Sequence, residues 1–195
     1  MSQEIELKVP LTQNQYETIS GILKNNKTFP GFTYHSLKLI QKHDEYFSLY
    51  KSHEERIKNK ELRVIRIRTE NNKKAYFCIK QKKLKDGIEF NNEQETFIEN
   101  PDVLRSFFEA TGYIKWFEKK KDSIFVNCSV SSISDFEANL EIEKVNGLPY
   151  AEIEYTKDDI NPVEIRKNLE KILNTLGINP ENRDSRSWAE ILTDK

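Results

Sequence analysis

Glu4-Ile5-Glu6-Leu7-Lys8-Val9 opens the chain in strict alternation, with Glu4, Glu6 and Lys8 on one side and Ile5, Leu7 and Val9 on the other. A period of two belongs to a β-strand, so two carboxylates and an ammonium share one face and three apolar side chains share the opposite one. Alone, such a strand reads as the wet face of a sheet. Repetition of the pattern along the chain changes that reading.

The Glu-x-Glu spacing returns at Glu93/Glu95, Glu141/Glu143 and Glu152/Glu154, and basic versions stand at Arg66/Arg68, Lys80/Lys82 and Lys119/Lys121. A solvated sheet mixes signs along each strand, because like charges at adjacent positions of one face repel. Strands that each carry mainly one sign make sense when they curl until their charged faces meet. The pattern therefore predicts an α+β, mainly β fold: an eight-stranded antiparallel closed β-barrel with a charged interior and with helices packed outside on its apolar face.

The remaining elements fit this plan. Thr12 and Gln15 form a capping box before Tyr16, Ile19 and Leu23, which predicts a helix over about 13–24. Residues 25–33 read as a loop and 34–50 as extended chain, while the charge-rich stretch 52–60 reads as a solvated excursion. In 61–68 the alternation breaks once, which predicts a bulge near Val64. Strands follow over 73–82 and 92–98, with a turn at 83–87, and then over 116–126, 139–145 and 150–155, with Asn146-Gly147 turning the last hairpin. Asn100-Pro101 to Gly112 and Asn161-Pro162 to Gly177 each spell a capped helix after an acidic strand, repeating the order of the first 24 residues. This recurrence points to internal pseudo-symmetry.

At 195 residues, with no break in composition, residues 1–195 read as a single domain. Lys plus Arg number 31 and Asp plus Glu 32, so a formal charge of −1 gives no global attraction to nucleic acid or to an anionic membrane. Hydrophobic residues make up only 36% while charged ones reach 32%, lean for a large core but suited to a barrel that spends its inner face on charge. No apolar run approaches the ~20 residues of a membrane span, and no apolar leader precedes the first strand, so a cytoplasmic location is expected. Cys78 and Cys128 read as reduced and structural, and His35, His43 and His53 show no spacing for zinc or for a nucleophile's base.

Seven bases on the charged faces (Lys8, Arg66, Arg68, Lys80, Lys82, Lys119 and Lys121) suit a polyanion. Eight glutamates facing the same interior would repel unless protonated or bound to cations, and hard ions such as Mg²⁺ or Mn²⁺ prefer carboxylate and phosphate oxygens. Together they describe a site for a metal-chelated oligophosphate. The competing reading is a network of surface salt bridges.

Glu4-Ile5-Glu6-Leu7-Lys8 also resembles the ExExK signature of the CYTH domain, or triphosphate tunnel metalloenzymes, which include class IV adenylyl cyclases, thiamine triphosphatases and inorganic triphosphatases. Asp44-Glu45-Tyr46-Phe47 is similar to the family's D-x-Y-F, Ile65 to Arg68 to its L-R-I-R strand, and Lys80 to the basic strand that follows. Glu93 and Glu95 resemble R-x-E-x-E, and Lys119 and Lys121 resemble K-x-R. Val145 to Glu154 is similar to V-x-G-L-G-x-F-x-E-I-E, and Arg186 to Leu192 to R-S-Y-x-E-L-L. The chain departs from the pattern at Asn91 and Lys121, where arginines are expected, at Pro149 for glycine and at Trp188 for tyrosine.

The resemblance implies a triphosphate tunnel. Glu4, Glu6, Glu141, Glu143, Glu152 and Glu154 would hold Mg²⁺ or Mn²⁺, and Lys8, Arg66, Arg68, Lys80, Lys82, Lys119 and Lys121 would grip the substrate. Glu4, Glu6, Lys8, Glu93 and Glu95 would carry catalysis. The expected partner is a small-molecule triphosphate (inorganic triphosphate, thiamine triphosphate or ATP), with no nucleic acid and no membrane, and with homodimerisation left open. Hydrolysis by a metal-dependent triphosphatase is the leading expectation. The alternatives are a class IV adenylyl cyclase that makes cyclic AMP and pyrophosphate, and a non-catalytic polyphosphate or nucleotide binding module.

Overall fold

The structure, a computed structural model, describes residues 2–61, 63–85, 88–157 and 161–193, and of residues 2–3 and 82–91 only the backbone. The strands are β1 (Ser2–Pro10), β2 (Phe32–Ser48), β3 (Arg63–Glu70), β4 (Lys74–Lys85), β5 (Ile88–Ile98), β6 (Ile114–Val130), β7 (Ala138–Val145) and β8 (Leu148–Tyr155). They pair antiparallel in the order β1-β5-β4-β3-β2-β6-β7-β8 and close into a barrel. Strand β1 seals the ring: Ser2 to Ile5 pair with β5, and Ile5 to Pro10 pair with β8. The opening stretch of the sequence is thus the seam of the barrel.

Alternation places two apolar layers outside the ring. Ile5, Leu7 and Val9 of β1, Leu140 and Ile142 of β7 and Ile153 of β8 are buried in one cluster. They pack under α1 (Gln13–Lys24), through Ile19 and Leu23, and α4 (Pro162–Thr175), through Leu169, Ile172 and Leu173. A second cluster, Phe47, Ile67 and Phe108 with Ile65, Phe77, Ile98 and Leu104, sits beneath α3 (Pro101–Ala110). Truncating a residue such as Leu169, fully buried here, costs roughly 2–5 kcal/mol. The hydrophobic drive for folding therefore lies between barrel and helices, which frees the inner face for charge.

The caps follow the sequence. Thr12 and Gln15 form the reciprocal capping box, and Asn100 and Asn161 cap helices whose first turns begin with Pro101 and Pro162. Gly112 and Gly177, at φ 85° and 73°, end their helices in left-handed turns that let Tyr113 and Ile178 donate back to Phe108 and Leu173. Asn146 and Gly147, both at positive φ, turn the β7–β8 hairpin.

Three expectations change. No bulge occurs at Val64, since β3 and β4 keep one register from Arg63↔Gln81 to Glu70↔Lys74. Val64 is instead an apolar residue on the inner face, lining the bore two positions before Arg66, and the register shifts fall in the β2–β6 pair at Tyr34/Ser36 and Tyr46/Phe47. Residues 52–60 are not merely solvated: they contain α2 (His53–Lys58), whose Arg56 is buried, donating to Glu61 and to the Arg63 carbonyl and lying 4.5 Å from the centre of the Trp116 ring. Strand β2 begins and ends two residues before the expected 34–50, while β4, β5 and β6 run beyond their expected ends, β4 into the expected turn at 83–87, because pairing with a neighbour continues where alternation in sequence fades. Cys128 lies in the larger apolar cluster, whereas Cys78 faces the bore.

Candidate active site

The bore encloses a cavity of about 560 Å³. Glu4, Glu6 and Lys8 reach it from β1, Arg66 and Arg68 from β3, Lys80 from β4, Glu93 and Glu95 from β5, Lys119 and Lys121 from β6, Glu141 from β7, and Glu152 and Glu154 from β8. Ile5, Leu7, Ile67 and Ile153 lie in the outer clusters. Of the expected site residues, Glu143 does not line the cavity: it is fully buried behind it, accepting from Lys121 Nζ at 2.9 Å and Ser123 Oγ at 2.9 Å. The side chains of Lys82 and Asn91 fall outside the described residues.

Acids and bases meet across strands, but not evenly. At one side Lys8, Lys119 and Lys121 place their ammonium groups 4.9, 5.1 and 5.4 Å from the centre of the Trp188 ring, whose Nε1 donates to Glu152 Oε1 at 2.7 Å. Lys121 is offset by Glu143 and Glu152, which hold its ammonium well above the usual lysine range despite burial. Lys119 has Asp44 Oδ2 3.7 Å away, and burial together with the Lys121 charge outweighs Asp44 and Glu152 and pushes its ammonium well below that range. Arg68 stands beside Lys119, donating through Nε and Nη2 to Asp44 at 2.7 and 2.9 Å. This side of the bore carries a surplus of positive charge.

The other side carries the opposite surplus. Burial, with the charges of Glu93 and Glu6, pushes the Glu4 carboxyl up to about 7 in spite of Lys80. Burial and the charges of Glu4, Glu6 and Glu141 push Glu154 up to about 7 as well. Lys80 is shared among Glu4 at 3.7 Å, Glu6 at 3.5 Å and Glu93 at 3.6 Å, and Glu154 accepts a 3.3 Å bond from Asn139. Elsewhere in the bore the carboxylates are paired. Burial raises Glu93 and Glu141, yet Arg66 and Lys80 bring Glu93, and Lys42 and Lys121 bring Glu141, down to about 2.

Among the described residues, the one trio of His, Cys, Asp or Glu with ligand atoms within 4.8 Å of one another is Cys78, Glu93 and Glu95. Arg66 already bridges both of its carboxylates, at 2.9 and 3.1 Å, and burial pushes the Cys78 thiol up to about 12, so an ion there must displace a guanidinium. Glu4, Glu6 and Glu154 lie farther apart, but they are the carboxylates short of positive charge. A divalent ion fits them chemically by relieving the crowding that keeps protons on Glu4 and Glu154.

Several cavity residues escaped the sequence reading. Lys42 ion-pairs with Glu141, and Arg56 and His53 close the bore from α2. Trp188, which stands for the tyrosine of the R-S-Y-x-E-L-L resemblance and so had a signal, closes it from α5 (Trp188–Thr193), and His53 Nε2 lies 3.6 Å from Glu190 Oε1 across the two helices. Asp44, which orients Arg68, had a signal in the Asp44-Glu45-Tyr46-Phe47 motif, whereas Lys42 and Arg56 had none.

A closed antiparallel barrel whose bore is lined by paired and unpaired charges is a specific architecture. The CYTH domain model matches residues 2–188, and the chain belongs to that family. Its fold is shared by a conserved hypothetical protein from Pyrococcus furiosus, at 19% identity and a TM-score of 0.67 over 96% of this chain and 98% of that one. A candidate adenylate cyclase from Vibrio parahaemolyticus is similar at 18% identity and a TM-score of 0.63, over 97% of both chains. A candidate adenylyl cyclase from Hippeastrum, described as having a dominant triphosphatase activity, matches at 18% identity and a TM-score of 0.64, over 100% of this chain and 97% of that one. No curated protein matches in sequence. Among the described residues, no helix is long and apolar enough to cross a membrane.

Proposed function

We propose that the protein is a divalent-metal-dependent enzyme that hydrolyses a triphosphate. The observation that carries this reading is the separation of charge inside one bore, with surplus ammonium and guanidinium groups around Trp188 and surplus carboxylates at Glu4, Glu6 and Glu154. A polyanion chelated to a cation satisfies both surpluses at once, and neither partner alone does. Salt bridges on an open surface would leave neither.

Lys8, Lys119, Lys121 and Arg68 hold the phosphate chain and neutralise charge as it builds on the leaving phosphate, an effect strengthened where water is excluded. Glu4, Glu6 and Glu154, with Glu141 and Glu152, would hold Mg²⁺ or Mn²⁺, which when bound supplies further charge neutralisation on phosphoryl oxygens. Glu93, kept ionised by Arg66 and Lys80, fixes the position of Lys80 against Glu4 and Glu6. Water attacks the terminal phosphorus, the bridging P–O bond breaks, and orthophosphate leaves with the shortened chain.

The two relatives described as candidate adenylyl cyclases support a second reading, in which a ribose hydroxyl replaces water and the α-phosphorus is attacked. Product analysis with ATP and with inorganic triphosphate, in Mg²⁺ and Mn²⁺, tests both. Release of orthophosphate is expected. Cyclic nucleotide with pyrophosphate would replace the reading by cyclisation, and absence of turnover despite binding would replace it by a binding module.

A further inference from the structure

One aromatic pair on the inner face lies outside the cavity lining. Tyr76 of β4 and Phe97 of β5 are direct cross-strand partners, with ring centroids 6.0 Å apart and planes at 78°. Each shares the face of its strand that carries the site: Tyr76 stands two positions before Cys78, and Phe97 two positions after Glu95, both of which line the cavity. The rung continues through Arg68, the partner of Tyr76 on β3, to Asp44, the partner of Arg68 on β2. Phe97 is 58% exposed, next to the end of β5. An edge-to-face pair at the open rim of a charged bore is a ready platform for a flat ring.

We infer that Tyr76 and Phe97 form a stacking subsite for the planar, aromatic organic group of a substrate whose phosphates lie in the bore, an inference that rests on the proposed triphosphate site. Two inter-strand spacings of about 4.8 Å separate the Arg68 backbone from that of Phe97, about 10 Å along the rung. That is on the order of the reach of a sugar and base beyond the phosphate chain. The rung thus runs from a guanidinium suited to phosphate, oriented by a buried carboxylate, to a half-buried Tyr76 ring and an exposed Phe97 ring suited to a base. Inorganic triphosphate has no group to place there. Recognition by stacking alone accepts any flat ring, so the subsite favours aromatic triphosphates without choosing strongly among bases.

The test is calorimetric titration, with Mg²⁺ present, of the wild type, Phe97→Ala and Phe97→Trp. The two ligands are the methylene-bridged analogues of ATP and of inorganic triphosphate, which resist hydrolysis. The wild type is expected to bind the ATP analogue tighter, by on the order of tenfold, as lost stacking of one base predicts. Phe97→Ala should erase that margin while leaving the affinity for the triphosphate analogue unchanged, and Phe97→Trp should keep it. An equal loss for both ligands, or no loss for either, overturns the subsite. A wild type that binds the triphosphate analogue with no margin for ATP overturns the subsite alone. A wild type that binds neither overturns the triphosphate reading with it.

Discussion

Asp44 and Arg68 face each other across β2 and β3 as a two-pronged ion pair in which the carboxylate is fully buried and the guanidinium lines the bore, with both Nε and Nη2 committed to that one carboxylate. Burial alone would raise the Asp44 carboxyl, yet Arg68 and Arg66 hold it well below the usual carboxylate range. Its partners make Asp44 the residue that sets the angle of Arg68 and limits repulsion between Arg68 and Lys119.

Asp44→Asn should therefore destabilise the fold by about 3 kcal/mol, the scale for removing one partner of a buried pair. Combining it with Arg68→Met should cost less than the sum of the two single changes, because the uncompensated charge is gone. Denaturant midpoints of the four proteins measure this. Additive losses would show that the pair is not coupled.

The pH dependence has a definite sign. Glu4 and Glu154 bind protons up to about pH 7 in the fold but only to about 4.5 when unfolded, so between these values the folded state holds protons that the unfolded state has released. Their contribution to stability falls as pH rises through that window. Glu93 and Glu141, lowered to about 2, act oppositely, gaining stability between about pH 2 and 4.5. In a chelator, the melting temperature should peak near pH 4–5 and decline toward 7, and Mn²⁺ should remove the decline by taking the protons' place. A melting temperature that climbs from pH 5 to 7 in chelator would contradict the assignment.

What the sequence made legible, and what it hid, divides along the range of the interactions. The alternation at Glu4, Glu6 and Lys8 foretold the inward face, and Asn100-Pro101, Asn161-Pro162 and Asn146-Gly147 foretold their caps and turn, because each is decided by a few adjacent residues. Arg56 looked solvated, since a charged residue in a charged run gives no hint that Glu61 and Trp116 will enclose it. Val64 mimicked a bulge because the inner face accepts an apolar side chain at its end. Lys42 was hidden in the same way: its partner Glu141 is set by barrel closure, 99 residues away.

Trp188 gives the site an optical probe. Metal with triphosphate should draw Lys8, Lys119 and Lys121 toward phosphate oxygens and change the indole emission. The change should vanish in Trp188→Phe, which keeps Trp116. A persisting signal would place the ligand at the α2 end instead.

Because each charge surplus answers to a different half of the ligand, metal and triphosphate should raise the melting temperature together by far more than either alone. Differential scanning of the four conditions decides it. Triphosphate that stabilises equally well without metal would remove the glutamates from the metal's coordination.

The central claim is that the first strand's carboxylates work rather than merely face water. Glu4→Gln and Glu6→Gln preserve size and hydrogen bonding while removing charge, and phosphate release from inorganic triphosphate with Mg²⁺ or Mn²⁺ can be compared with that of the wild type. His43→Ala, outside the cavity lining, serves as the control and should retain activity. Turnover should fall by orders of magnitude in both glutamine variants, with metal dependence shifted to higher concentration. Full activity in folded Glu4→Gln and Glu6→Gln would contradict the account.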